Sequence, residues 1–265
     1  MILTDLEIQT FSLFAEELAE AAGHAITPYF RTHLAIQNKS THQFDPVTMA
    51  DKFAERAMRA IISRRYPDHG IYGEEEGHHR GSSPFTWMLD PIDGTRAFIT
   101  GLPLWGTLIA LHDGECPRIG VMNQPFTGER FLGTPKGAWL NGKPIQVRPC
   151  ASLAEARITS TSLQIFETEE QLAAFNNVAK QARLVRFGGD CYAYCMLACG
   201  HIDAVIDAGM KPYDIQALIP IIHSAGGIVS TWDGQDPQRG GAILACGDRR
   251  LHAEIISELK GFLPS

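Results

Sequence analysis

Asp90-Pro91-Ile92-Asp93-Gly94-Thr95 follows directly on the apolar run Trp87-Met88-Leu89. A short buried strand there would carry two carboxylates, a freed backbone carbonyl and a hydroxyl into one small volume. Two aspartates three positions apart, with Pro91 fixing φ between them, suit a pair of hard cations that take oxygen ligands. Gly94 permits a sharp bend, and the amides after it can face an anion at the start of a helical turn. The chemistry this points to is metal-assisted attack of water on a phosphate ester.

Three more acidic positions, Asp51, Glu74 and Asp214, each begin or end an apolar element. Each has a plain alternative. Asp214 suits a helix N-cap, Asp51 the acidic end of a capping box opened by Thr48, and Glu74-Glu75-Glu76 a solvated loop. Together they suggest more, because metals need convergent carboxylates and strand ends or helix starts are where such ligands meet. Asp90 suits a bridging position at its strand end. Glu74 and the Ile92 carbonyl would complete one cation, and Asp93 with Asp214 the second. Thr95, hydrogen-bonded to Asp51, would orient a water whose pKa the cation lowers. No nucleophilic Ser, Cys or His is needed, and no triad spacing is present.

The elements that must position these groups are legible in the apolar pattern. Residues 5–32 carry Leu6, Phe11, Phe14, Leu18, Ala22 and Ile26 at helical intervals, after a Thr4–Glu7 capping-box pattern. A second helix is predicted from Thr48 to Pro67. The segment Ile71-Tyr72-Gly73 leads into the three glutamates, and from there to about 150 the pattern turns to strands, with hairpin signals at Asp113-Gly114 and Asn141-Gly142. Strands are predicted over 107–112 and 119–122. Beyond 150 the elements alternate: strands over 156–161, 184–187, 202–206, 228–231 and 242–245, and helices near 168–182, 190–199, 214–225 and 248–260. No repeat and no long linker appears, and Arg148-Pro149-Cys150-Ala151-Ser152 is the best seam. The expected body is one catalytic domain over 1–265, α/β in class, with two close-coupled halves at roughly 1–148 and 152–265.

Composition narrows the partners. The 265 residues are 45% hydrophobic and 20% charged, with a net charge of −7, which argues against a general nucleic-acid surface. No basic-then-apolar leader and no run of membrane-spanning length occurs, so a cytoplasmic protein with no membrane partner is expected. Six cysteines occur without a CxxC pair, as reduced thiols would. Cys191, Cys195 and Cys199 fall at helical spacing and read as small buried hydrophobes rather than soft-metal ligands. His78-His79 reads as a solvated loop.

The motifs Gly73-Glu74-Glu75, Asp90-Pro-Ile-Asp-Gly-Thr95, and Tyr213-Asp214 with Ala217 and Gly226-Gly227 resemble the inositol monophosphatase family of magnesium-dependent, lithium-sensitive phosphatases. Pro46-Val-Thr48-Met-Ala-Asp51 is similar to that family's upstream segment, and the resemblance runs from about residue 10 to about 250. It implies a layered αβαβα sandwich of the inositol monophosphatase and sugar phosphatase type, and frequent dimerisation. It also implies Mg²⁺, two or three ions per site, held by Glu74, Asp90, the Ile92 carbonyl, Asp93 and Asp214. Asp51 and Thr95, with Glu74 as metal ligand, would activate water for in-line attack, with inversion at phosphorus and no phosphoenzyme. The phosphate would meet Asp93, Gly94, Thr95 and Asp214.

The family spans several phosphorylated metabolites, so fold leaves the substrate open. Thr95-Arg96-Ala97-Phe98-Ile99-Thr100-Gly101 and Lys211-Pro212-Tyr213-Asp214 resemble the histidinol-phosphate branch, the latter with Tyr-Asp for the commoner Trp-Asp. Arg186-Phe-Gly-Gly-Asp190-Cys-Tyr192 places a carboxylate where inositol enzymes commonly carry small or hydroxyl residues. Histidinol phosphate presents an ammonium and an imidazole, so acidic partners away from the phosphate favour it. Asp190 and Asp207 are the candidates, with Arg186 supporting the phosphate or holding Asp190 in place; Asp207 also resembles a position where polyol-specific relatives bind a sugar hydroxyl, so it discriminates poorly. Asp190 as a helix cap is the bland alternative. Histidinol phosphatase in histidine biosynthesis is thus the leading expectation. A broad inositol-1-phosphate or polyol phosphatase comes second, and a regulatory relative that binds RNA or transcription machinery is the reading from another class.

Overall fold

A computed structural model describes residues 3–33, 37–38 and 46–261, with the side chains of Pro46 and Val47 in the upstream motif lying outside that description. Helix α1 (Asp5–Ile26) opens with the expected capping box, Glu7 N donating to Thr4 Oγ1 and Thr4 N to Glu7 Oε2. It ends earlier than its apolar pattern predicts, passing into a 3-10 turn at Thr27–Tyr29 because Pro28 has no N–H to continue the ladder. Helix α2 (Met49–Arg65) starts where expected, with Thr48 as N-cap. A two-residue pair, β1 (Gln37–Asn38) with β2 (Pro46–Val47), lies between them.

The first half then builds an eight-stranded sheet. From one edge its order is β10 (Lys143–Pro144), β9 (Gly137–Leu140), β8 (Glu129–Thr134), β7 (Pro117–Gln124), β6 (Gly106–His112), β5 (Thr86–Asp93), β3 (Gly70–Gly73) and β4 (Gly77–His79). All neighbours are antiparallel except β3 and β5, which run parallel. His78 and His79, expected in a loop, form part of the short edge strand β4 and remain exposed. After Thr95–Ile99 (α3) and the hairpins, the second half makes a five-stranded sheet in the order β12 (Leu184–Phe187), β11 (Arg157–Ser160), β13 (Ala204–Met210), β15 (Gly241–Cys246) and β14 (Ile228–Thr231). Its helices are α4 (Glu169–Gln181), α5 (Asp190–Ala198), α6 (Pro212–Ile215), α7 (Leu218–Ser224) and α8 (Arg249–Lys260).

Strand alternation sorts these into five layers. On β5, Trp87 and Leu89 join α1 and α2 in one core, whereas Met88 joins Leu108, Met122 and the apolar faces of α5 and α7 in another. Val205, Ile243 and Ala245 of the second sheet close that central core from its far side. The opposite face of the same sheet, with Ile206 and Leu244, packs under α4 and α8. The architecture is therefore αβαβα, as expected.

Two elements differ from their predicted form. The helix expected over 214–225 is split into α6 and α7, since Pro220 has no N–H to return to the Gln216 carbonyl. The strand expected over 202–206 starts at Ala204 and continues to Met210, which places Asp207 within the sheet. Cys191 and Cys195 are buried in α5 and Cys199 is half-buried at its end, all as free thiols. No helix among the described residues is long and apolar enough to cross a membrane.

Candidate active site

The site begins with an irregularity in β5. Asp90 pairs with Leu108 and Asp93 with Gly106, so Pro91 and Ile92 together oppose Thr107 and form a β-bulge. Pro91, which has no ladder donor to lose, suits that position. Its carbonyl accepts the Thr107 hydroxyl at 2.8 Å, and Ile92 N donates to Asp90 Oδ1 at 3.1 Å. The bulge turns Asp90 and Asp93 toward the same end of the sheet. Parallel pairing does the rest: Gly73 lies opposite Leu89, so Glu74, whose N–H donates to Leu89 O at 3.1 Å, emerges beside Asp90.

Asp214 comes from the second half. It is the third residue of α6 rather than its N-cap, and its Oδ2 accepts from Lys211 N at 2.7 Å. One carboxylate oxygen from each of Asp90, Asp93 and Asp214 lies within 4.8 Å of the other two. Asp93 has a second duty, its Oδ2 accepting Cys191 N at 2.7 Å in the first turn of α5. A carboxylate from one half thus caps a helix of the other.

Asp51 takes the capping role that its position suggested. Its Oδ2 accepts from Thr48 N at 2.8 Å and Thr48 Oγ1 at 2.6 Å, closing the capping box. Its Oδ1 is buried with no hydrogen-bond partner, and the Glu74 charge reaches it. The expected Thr95–Asp51 hydrogen bond is not formed. Thr95 Oγ1 donates instead to Ile92 O at 3.0 Å, because the tight turn at Gly94 (φ 82°) folds α3 back over the bulge. Gly94 is required twice over, as a Cβ there would stand 3.1 Å from the Asp190 side chain.

Burial and mutual repulsion govern the electrostatics. Burial pushes the Asp51 carboxyl up to about 6. Burial, then the Asp214 charge, raises Asp93 to about 7, and Asp90 rises well above the usual carboxylate range through burial and the adjoining Glu74, Asp93 and Asp214. A buried acceptor with no donor beside crowded carboxylates is a donor set that divalent cations fit: hard oxygen ligands whose repulsion a cation removes.

Beside this cluster lies a cavity of about 190 Å³ lined by Asp93 and Asp214 and, from the second half, by Asp190, Asp207 and Tyr194 among others. Asp190 is not a cap. Gly189 holds the N-cap position, and Asp190 is the first helical residue, at φ 44°, its carboxyl raised to about 8 by burial and then by Asp93. Asp207 is saturated with donors: Ser160 Oγ at 3.0 Å, Thr161 N at 2.7 Å, Thr161 Oγ1 at 3.1 Å and Tyr194 OH at 3.0 Å. Arg186 does not join them. It is exposed on the edge strand β12, outside the cavity wall, and the cation whose charge reaches Asp190 is Arg96. A larger cavity, about 730 Å³ between α1 and the β8–β9 hairpin, includes none of these carboxylates.

Sequence reasoning missed Glu55. It is fully buried one helical turn after Asp51, and its carboxylate accepts from Glu75 N at 2.7 Å and Glu76 N at 2.9 Å. Its spacing of four from Asp51 was the available signal.

Comparison with known proteins agrees with this geometry. The model of the inositol monophosphatase family matches residues 7–262. The chain is 39% identical to the bifunctional phosphatase IMPL2, chloroplastic, of Arabidopsis thaliana, covering 97% of this chain and 77% of that protein. It is 35% identical to a histidinol-phosphatase of Chlorobaculum parvum, over 92% of this chain and 95% of the relative. The solved structure of an inositol monophosphatase from Zymomonas mobilis superimposes with a TM-score of 0.85 at 38% identity, covering 95% of this chain and 98% of that one. With fold, carboxylate cluster and nearly full-length similarity in accord, the chain belongs to the inositol monophosphatase family and is a metal-dependent phosphatase.

Proposed function

We propose that this protein is a magnesium-dependent histidinol-phosphatase, releasing L-histidinol and inorganic phosphate in histidine biosynthesis. One observation carries the choice of substrate. Asp190 and Asp207 line the same cavity as Asp93 and Asp214, and no basic side chain is among the described residues lining it. Such a wall favours an alcohol bearing positive charge over a neutral polyol. With Asp207 held by four donors, Asp190 is the partner for an ammonium or imidazolium, and Asp207 supplies fixed negative potential behind it.

Glu74, Asp90, the Ile92 carbonyl, Asp93 and Asp214 are the groups to hold the cations. Bound Mg²⁺, two or three ions in this reading, would neutralise phosphate charge and make water acidic enough to attack phosphorus. The chain's own residues do the rest. Asp51, with Oδ2 pinned by Thr48, keeps Oδ1 for the proton of the attacking water. Thr95 has committed its own proton to Ile92, so its oxygen orients that water as an acceptor. Gly94 is the N-cap of α3, and the amides that open this turn are the donors this reading gives to the phosphate. Asp93 and Asp214 belong to the carboxylate cluster and also line the cavity, so they would help to hold the cation and would face the substrate. A homodimer in the cytoplasm acting on small phosphorylated metabolites completes the proposal, with no nucleic acid or membrane partner.

The second reading, an inositol-1-phosphate or polyol phosphatase, draws on the 38% identity to the Zymomonas enzyme. Phosphate release from histidinol phosphate and from inositol 1-phosphate with Mg²⁺ separates the two. A higher kcat/KM for histidinol phosphate, lost on Asp190→Asn, is expected; equal or better turnover of the inositol ester overturns the preference. A regulatory protein that binds RNA or transcription machinery would release phosphate from neither.

A further inference from the structure

We propose that Glu55 is a positioning residue that sets the affinity of the site for its cation, by clamping the turn that carries Glu74; this rests on the phosphatase reading above. Asp51 and Glu55 are one helical turn apart on α2, both buried, so one rigid helix presents a carboxylate to the reaction centre and a second to the neighbouring turn. Glu55 Oε2 accepts from Glu75 N at 2.7 Å and Oε1 from Glu76 N at 2.9 Å, the two amides that follow Glu74.

Arg59, a further turn along, donates Nε to Glu55 Oε1 at 2.8 Å and Nη2 to the Gly77 carbonyl. Arg56 takes the Glu76 carboxylate at 2.6 Å. Every residue from 75 to 77 is therefore tied to α2, and the side chain those ties leave to the metal cluster is Glu74, which shares a hydrogen bond with Asp90. The fit is close enough to dictate the preceding residue. A Cβ at Gly73 would stand 2.2 Å from Glu55 Oε1. Burying the Glu55 side chain costs free energy that two backbone donors and an arginine offset, more than fixing one tight turn would require. The result is a Glu74 that needs no reorganisation to meet a cation.

Two variants perturb the clamp from opposite sides. Glu55→Gln keeps the shape but sets an NH₂ against amide or guanidinium donors. Gly73→Ala leaves the carboxylate in the chain and displaces it with a methyl group. Magnesium binding to metal-free protein by calorimetry is expected to weaken roughly 10–100-fold in both, the range for a residue that orients a metal ligand. The Mg²⁺ concentration for half-maximal phosphate release should rise in step, while kcat at saturating Mg²⁺ stays within about threefold of wild type. Cation affinity unchanged in either folded variant overturns the proposal, as does a loss of rate that saturating Mg²⁺ does not restore. Failure of both variants to fold also overturns it, since the clamp would then serve the fold and not the site. A wild-type protein that binds no Mg²⁺ and hydrolyses no phosphate ester would instead sink the phosphatase reading itself.

Discussion

Asp93 shows how much one residue does here. It contributes an oxygen to the carboxylate cluster and accepts the Cys191 amide of a helix from the other half of the chain. Asp93→Asn keeps an acceptor for that amide and removes a charge that the cluster repels. Phosphate release should therefore fall on the order of 10³-fold, while the melting temperature in metal-free buffer holds or rises. A variant still active after chelation would refute the metal mechanism. Thr48 is similarly doubled, being the N-cap of α2 and the donor of both hydrogen bonds to Asp51 Oδ2. Thr48→Ala should cost about 1 kcal/mol of stability and lower kcat, whereas Thr48→Ser should restore both; urea unfolding and steady-state kinetics read the two effects.

Elements work in pairs across the chain. The parallel β3–β5 pair delivers Glu74 to Asp90, and the bulge in β5 re-aims Asp93. Arg148, in the seam expected from sequence, ties the halves: its Nε and Nη2 reach Asp203 at 2.9 and 2.6 Å. Asp203 is buried just before β13, and Arg157 N also donates to it at 2.8 Å. Arg148→Ala would leave a buried carboxylate with one remaining named donor, so a loss of roughly 1–3 kcal/mol is expected from chemical denaturation. An unchanged midpoint would show that this ion pair does not brace the seam. Arg148→Lys should recover only part, since lysine cannot make the bidentate contact.

The whole molecule stores unfavourable charge at the meeting of its halves. Folding raises Asp51, Asp93 and Asp190 from an ordinary 3.8 to about 6, 7 and 8 respectively. Between about pH 4 and pH 8 these three carboxyls hold more protons in the native state than in the unfolded chain, so their contribution to metal-free stability falls as pH rises through this window and outweighs the opposite trend of the buried His69, His223 and His252. A cation held at Asp93 would take the place of its proton and oppose this trend. The melting temperature with chelator present should be lower at pH 8 than at pH 5, the difference should shrink with Mg²⁺, and Mg²⁺ binding near pH 6.5 should release protons. Metal-free stability that climbs over the same range would contradict the assignment. The αβαβα layering makes this arrangement possible, since the central core shared by both sheets holds the two halves in register.

Much of this was readable before folding is considered. The Asp90–Thr95 motif, the Thr48–Asp51 and Thr4–Glu7 caps, the hairpin at Asn141-Gly142 and the order of elements are short-range features. Each depends on residues within a few positions of one another, where backbone geometry leaves few choices. Partner choice between distant segments was decided only by tertiary packing. Asp190 and Asp207 entered one cavity while Arg186 stayed on an outer edge, and Thr95 chose Ile92 over Asp51. Glu55 found the Glu74 turn twenty residues away. Those outcomes turn on ångström-scale distances between layers, which spacing along a chain does not specify.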